Sequence, residues 1–244
     1  WEQLFFPFPI VGAPPQLEQQ VQLFLNVFTG AQGGGAVPSA EVAYIATAHL
    51  GFVVTFPYQF GFGGQPFGTQ DLSLLAQYLV AGSLRYDDML SIGAEVTFPT
   101  AQSGLGSDDY LFGPFAYAAQ RLWKHLILEL NATALIPIVH GETARQLLFD
   151  GMVATLLTSV SFFLPIYLQC EVDTTTYLDG TLALPPGATS TPAETVFIAP
   201  EVFIGPIKGL RFAGGVFFNL AGDPIHARTY SLTVAIDIPN RFGY

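Results

Sequence analysis

Eight ionisable residues, Glu41, Glu95, Glu129, Glu171, Asp173, Glu201, Arg211 and Asp237, share one property of position. Each falls on the polar side of a stretch whose other side is apolar. Side chains at every second position of a strand lie on one face, so these eight are expected to face together into an interior. Seven of them are acids. A ring of carboxylates attracts cations and repels anions, which is the chemistry of a selectivity-setting pathway. The same residues also fit a second reading, a paired and hydrogen-bonded network that fills a narrow interior, with Arg211 placed between strands carrying Glu201 and Asp237. Around them the same faces carry Gln22, Gln77, Asn131, Asp150, Tyr167 and Gln169, and the apolar Phe24, Phe28, Val53, Leu75, Leu79, Phe112, Ile127, Leu135, Leu148, Met152, Leu156, Phe163 and Phe217. That inner face is too apolar for a general water-filled pore.

The elements that would position these residues recur about every ten residues. In 229–238, Tyr230, Leu232, Val234 and Ile236 alternate with Thr229, Ser231, Thr233 and Ala235. The stretches 89–98 and 20–27 repeat the pattern. Twelve such units can be read: Leu17 to Phe28, Ser39 to Thr47, Leu50 to Phe60, Thr69 to Ala81, Met89 to Phe98, Tyr110 to Gln120, His125 to Val139, Ala144 to Leu157, Val160 to Asp173, Thr195 to Ile204, Gly209 to Leu220 and Ala227 to Ile238. Gly151 to Cys170, uncharged throughout, is the one stretch with the length of a membrane helix. Its β-branched and aromatic content and Pro165 favour two strands, with a tight turn at Thr158-Ser159.

Connector lengths alternate. Longer or more polar ones (29–38, 61–68, 99–109, 140–143, 174–194, 221–226) carry Asp108, Asp109, Glu142, Asp179, Glu194 and Asp223. Tight ones carry Arg85, Arg121, Lys124 and Lys208. Short periplasmic turns and longer external loops are the pattern of an outer-membrane barrel. The glycine run Gly33 to Gly35 reads as part of a flexible external loop. A closed antiparallel transmembrane β-barrel of about 12 strands over 17–244 is therefore expected, because an open edge in hydrocarbon leaves backbone groups unpaired. Tyr44, Tyr58, Tyr78, Tyr117 and Tyr230 would supply interfacial aromatics. Residues 1–16, rich in Phe and Pro, read as an extension that plugs the barrel or docks a periplasmic or outer-membrane protein partner.

Composition narrows the function classes. Only 11% of the 244 residues are charged against 50% hydrophobic, far from the roughly 25% charged content of an ordinary soluble domain. A net charge of −11 argues against nucleic acid, which needs a basic face. The lone Cys170 permits no internal disulfide. His49, His125, His140 and His226 lack metal-ligand spacing, and no nucleophile–base arrangement is legible, so neither a metal, a cofactor nor a catalytic residue is expected. The expected partners are the lipid bilayer and a small-molecule solute.

Several segments in order carry a resemblance. They are Glu41-Val42-Ala43-Tyr44; Leu50 to Thr55 running into Phe56-Pro57-Tyr58; Gly68-Thr69-Gln70-Asp71; Leu90 to Thr97 running into Phe98-Pro99-Thr100; and Gly104-Leu105-Gly106-Ser107. Over roughly 39–137 the chain resembles the outer-membrane transporter barrels associated with the meta-pathway of phenol degradation. Thr69-Gln70 separate Gly68 from Asp71, and Ala101 stands where that pattern has glycine. The resemblance implies a bacterial outer-membrane barrel that carries small, often apolar or aromatic compounds. A different class, a structural barrel that scaffolds a partner protein or complex, is the alternative that the extension at 1–16 motivates.

Overall fold

The computed structural model describes residues 19–30, 33–62, 66–82, 88–102, 105–107, 109–123, 126–138, 145–159, 165–178, 194–207, 209–221 and 228–238. These form β1 (Gln20–Gly30), β2 (Gly33–Thr47), β3 (Leu50–Phe62), β4 (Gly68–Thr69), β5 (Leu72–Gly82), β6 (Asp88–Phe98), β7 (Leu111–Trp123), β8 (Leu126–Pro137), β9 (Gln146–Ser159), β10 (Pro165–Tyr177), β11 (Glu194–Ile207), β12 (Leu210–Ala221) and β13 (Arg228–Asp237). Apart from the two-residue β4, each strand pairs antiparallel with its neighbours in sequence, and β1 pairs with β13, so twelve long strands close on themselves. Strands of 10 to 15 residues meet or exceed the roughly 9–11 that a tilted strand needs to cross the hydrocarbon.

Alternation fixes which face points where. On β13, Leu232 and Ile236 are exposed while Ser231, Thr233 and Ala235 are buried; on β6, Leu90 and Ile92 are exposed while Met89 and Ser91 are buried. The exposed set continues around the wall with Leu23, Val42, Phe52, Leu74, Leu130, Val153, Leu168 and Val202. A patch of that extent in water would drive association; against lipid tails it is the matching surface. Tyr44, Tyr78 and Trp123 stand exposed toward the end with the short turns, and Phe60, Phe62, Tyr110 and Tyr230 toward the other. Aromatics at both ends mark the membrane interfaces.

Five details differ from the sequence reading. Gly33 to Gly35 belong to β2, not to a loop: Gly35 lies opposite Phe28, whose ring covers it, and a Cβ there would sit inside that ring. A glycine filled by a cross-strand aromatic keeps a strand paired where composition predicts a loop. The Thr158-Ser159 turn is instead the end of β9, and Thr174 to Tyr177 extend β10 because they pair with Phe149 to Gln146. Tyr117 is not interfacial; it is 2% exposed and points inward. Phe112 goes the other way, exposed on the outer wall, because inward positions of β7 are Gly113, Phe115, Tyr117 and Ala119.

Candidate functional site

The inner wall divides into two zones along the barrel axis. Toward the short turns, Ile45 of β2, Leu79 of β5, Met89 of β6, Tyr117 and Ala119 of β7, Ile127 of β8, Met152 and Ala154 of β9, Tyr167 of β10, Phe203 of β11 and Ala213 of β12 form one buried apolar cluster. Ile127 and Phe203 are fully shielded from water. The Tyr167 and Phe203 rings meet edge-on with centroids 6.0 Å apart. The aromatic members, Tyr117, Tyr167 and Phe203, stand on the arc β7 to β11, while Ala213, Ala235 and Ala43 are the inward residues at comparable positions of β12, β13 and β2.

Above this belt lies a polar layer. Glu129 accepts a hydrogen bond at Oε2 from the Tyr117 hydroxyl, and Glu201 accepts one at Oε2 from Gln169 Nε2. Glu171 lies within hydrogen-bonding reach of Glu201, and Asp173 is close by. Register brings them together: Gln169 is opposite Glu201, Met152 is opposite both Glu129 and Glu171, and Asp150 is opposite both Asn131 and Asp173. Gly215 faces Glu201 across the β11–β12 pair, and a Cβ there would strike the Glu201 side chain. The acids thus concentrate on β8 to β11, with Glu129, Glu171, Asp173 and Glu201 buried. Burial of a carboxyl group demands donors, and Tyr117 and Gln169 supply them.

The remaining inward residues are spread around the wall. Glu41 pairs in register with Thr55, whose hydroxyl donates to Glu41 Oε2 at 3.4 Å. Glu95 is half-buried opposite Gly113, away from the β8–β11 group. Gln77 donates to the Ser91 hydroxyl oxygen at 2.8 Å, and Gln20 to Gln22 at 2.9 Å. Arg211 is buried opposite Ala235, two positions from Asp237 on the same face of β13, so register sets it nearer Asp237 than Glu201. Only the backbone position of Asp237 is described, and likewise that of Asp150. The extension at 1–16, with Phe163, Lys124, Lys208, Arg85 and most of the 174–194 loop, lies outside the described residues.

A second polar assembly stands at the end with the long loops. Asp71 accepts from Ala101 N at 3.0 Å and from Ser107 N at 2.8 Å. The Ser107 hydroxyl sits between Asp71 Oδ2 (3.1 Å) and the Asp109 carbonyl oxygen (2.8 Å). Leu72 N donates to Thr100 Oγ1 at 2.9 Å and Gln102 N to the Thr69 carbonyl at 3.0 Å. These are the segments Gly68 to Asp71, Pro99-Thr100 and Gly104 to Ser107 that stand out in the sequence. Their short polar side chains tie the loops before β5 and β7 into one rim. Sequence reading missed that clamp because its partners are about thirty residues apart.

A depression of about 490 Å³ is lined by Leu90, Ala116, Ala118, Leu130, Ala132 and Phe149 among others. Leu90, Leu130 and Phe149 are exposed, so it belongs to the lipid-facing wall and not to the lumen. Among the described residues, no group of three His, Cys, Asp or Glu is arranged to hold a metal ion.

No protein-family model matches the chain, and no curated protein does either. Solved structures do. An outer membrane channel from Pseudomonas putida F1 superposes with a TM-score of 0.64 at 15% identity, covering 96% of this chain and all of that one. The NanC porin gives 0.61 at 8% identity over 89% of this chain and all of that one. The KdgM porin, solved with disordered oligogalacturonate, gives 0.59 at 9% identity over 90% and 99%. The fold is therefore that of bacterial outer-membrane barrels, and the apolar outer wall is the surface that such a barrel turns to lipid.

Proposed function

We propose that the chain is a passive, non-enzymatic channel that admits small, largely apolar or weakly polar solutes through a partly acidic lumen. The observation that carries this reading is the stacking of a polar, acid-bearing layer on an apolar belt inside one closed wall. A hydrophilic diffusion pore would present polar groups through its whole length. A twelve-stranded barrel lies between those of about eight strands, filled by their own side chains, and those of sixteen or more with wide aqueous channels. Here the cluster at the turn end is built from Tyr, Phe, Met, Ile, Leu and Ala, which offer an apolar solute surface at little desolvation cost. The resemblance to barrels that carry apolar or aromatic compounds agrees with that lining. In this reading Glu129, Glu171, Asp173, Glu201, Glu41 and Glu95 set a charge preference at the entrance, and Arg211 and Asp237 lie toward the opposite mouth.

The test is uptake across an intact lipopolysaccharide-containing outer membrane, which itself slows apolar solutes. Expression in a porin-poor Gram-negative host should accelerate entry of a small aromatic such as toluene several-fold over vector alone and leave entry of a hydrophilic sugar unchanged. Equal acceleration of both would refute the apolar-solute reading. No acceleration of either would favour a scaffold.

A further inference from the structure

We infer that the apolar belt at the turn end, centred on Ile127, Met152, Tyr167 and Phe203, is the specificity-determining barrier of the lumen, closed to water and ions and opened by an apolar solute. This rests on the proposed channel function and assigns its discrimination to named side chains.

Three observations support it. First, shielding is graded along the axis. Ile127, Met152 and Phe203 are at most 1% exposed, whereas inward residues nearer the loops, such as Leu75, Leu148 and Glu95, remain half-buried. Shielding is already complete at the acidic layer, where Glu129 and Glu171 are at most 1% exposed, and continues through the belt. Second, the cluster members on the β7–β11 arc are apolar apart from two tyrosine hydroxyls, and that of Tyr117 is turned toward Glu129. On that side an ion leaving the acidic layer meets mostly apolar surface, which replaces little of its hydration shell and impedes conduction. Third, the belt has a means of yielding. Met152, unbranched and soft, sits within it and can re-pack around a guest. Across the lumen Ala43, Ala213 and Ala235 offer space, flanked by the buried Gln20, Gln22 and Arg211.

The acidic layer and the belt then act in series. Carboxylates above concentrate solutes carrying positive charge or hydrogen-bond donors, and the belt admits only what can shed water. The polar layer sets what gathers and the belt sets what passes.

Single-channel recording in a planar bilayer with KCl tests this, alongside swelling of proteoliposomes in isotonic arabinose. The unmodified barrel should give no sustained ion steps and negligible swelling. The double variant Phe203→Ala, Met152→Ala should show discrete steps with conductance raised at least tenfold, and should admit arabinose. Ile127→Asn, which wets the belt without creating a large cavity, is a second variant. Heat-modifiable migration on a gel confirms that each has folded. If the unmodified barrel conducts as well as both folded variants, the belt is not the barrier and the inference falls. Toluene uptake by the unmodified chain then still judges the channel reading separately. If folded variants stay silent, the inference falls equally, since the obstruction lies elsewhere.

Discussion

The two ends of the lumen are built from the same strands with the same alternation, yet they differ in what fills them. At the turn end the inward positions carry Ile45, Leu79, Tyr117, Ile127, Met152, Tyr167 and Phe203, with Gln20, Gln22 and Arg211 on the β12–β1 side, all packed beyond the reach of water. At the loop end they carry Ser39, Thr55, Ser73, Thr97 and Thr175 among Val53, Leu75 and Leu148, half-buried, and the loops before β5 and β7 are tied by backbone-to-side-chain hydrogen bonds around Asp71. The outer wall shows no such division; it is apolar along its length. The comparison separates two requirements. Lipid dictates the outside everywhere, while the inside is free to differ by level, and the level at which it turns from half-buried to fully packed is where selectivity would be set.

The largest effect expected from this contrast is on stability. Truncating a packed belt residue removes transfer energy and leaves a cavity, so Met152→Ala should cost about 2–5 kcal/mol in unfolding from detergent or bilayers. Leu75→Ala, at a half-buried inward position nearer the loops, should cost well under half as much. Equal losses in urea titrations would mean that the loop end is packed as tightly as the turn end, and the contrast would collapse. Next in size is the rim. Asp71→Ala deletes the acceptor of three hydrogen bonds from the 101–107 loop, worth about 1.5–3 kcal/mol where a charged group takes part. Because that energy is local, the expected result is faster protease cleavage between residues 99 and 109 with an unchanged barrel melting temperature. A fall in the melting temperature would show that the clamp supports the wall as well as the loop. Tyr117→Phe should have a smaller effect, about 1–2 kcal/mol, because it keeps the ring in the belt and removes only the donor to Glu129. A loss as large as that of Met152→Ala would place Tyr117 in the polar layer rather than the belt.

Much of this architecture is legible in the sequence because a lipid-facing strand must alternate. The exposed Leu232 and Ile236 against buried Ser231, Thr233 and Ala235 can be read from period two alone. Most of the inward acids follow by the same logic. What period two cannot give is register, and so it cannot say that Gln169 meets Glu201 or that Arg211 lies opposite Ala235. Nor can it resolve aromatic residues that stand equally well on either face. Tyr117 reads as interfacial and is interior, whereas Phe112 reads as interior and faces lipid, because β7 alternates alanines with aromatics and its polarity signal is weak. Glycine misleads for a different reason: the Gly33 to Gly35 run has loop composition, but the Phe28 ring from the neighbouring strand compensates for the missing side chain at Gly35. The rim clamp was hidden because it joins Asp71 to Ala101 and Ser107, partners that only the fold brings together.

The smallest expected effect tests the polar layer by itself. In an unopened barrel the acids cannot be read electrically, since the belt stops the current on which selectivity is measured. They become readable in the Phe203→Ala, Met152→Ala background. There, a tenfold KCl gradient should give a reversal potential of cation-favouring sign, because Glu129, Glu171, Asp173 and Glu201 line the wall just above the opening. Adding Glu129→Gln should reduce that potential by removing a carboxylate beside the belt. Glu95→Gln should reduce it less, because Glu95 is half-buried opposite Gly113 on the other side of β7 from the acid-bearing strands. The difference should shrink at 1 M salt, where the Debye length falls to about 3 Å. If the two substitutions shift the potential equally, the acids act as a diffuse charge over the whole lumen and not as a layer set against the belt.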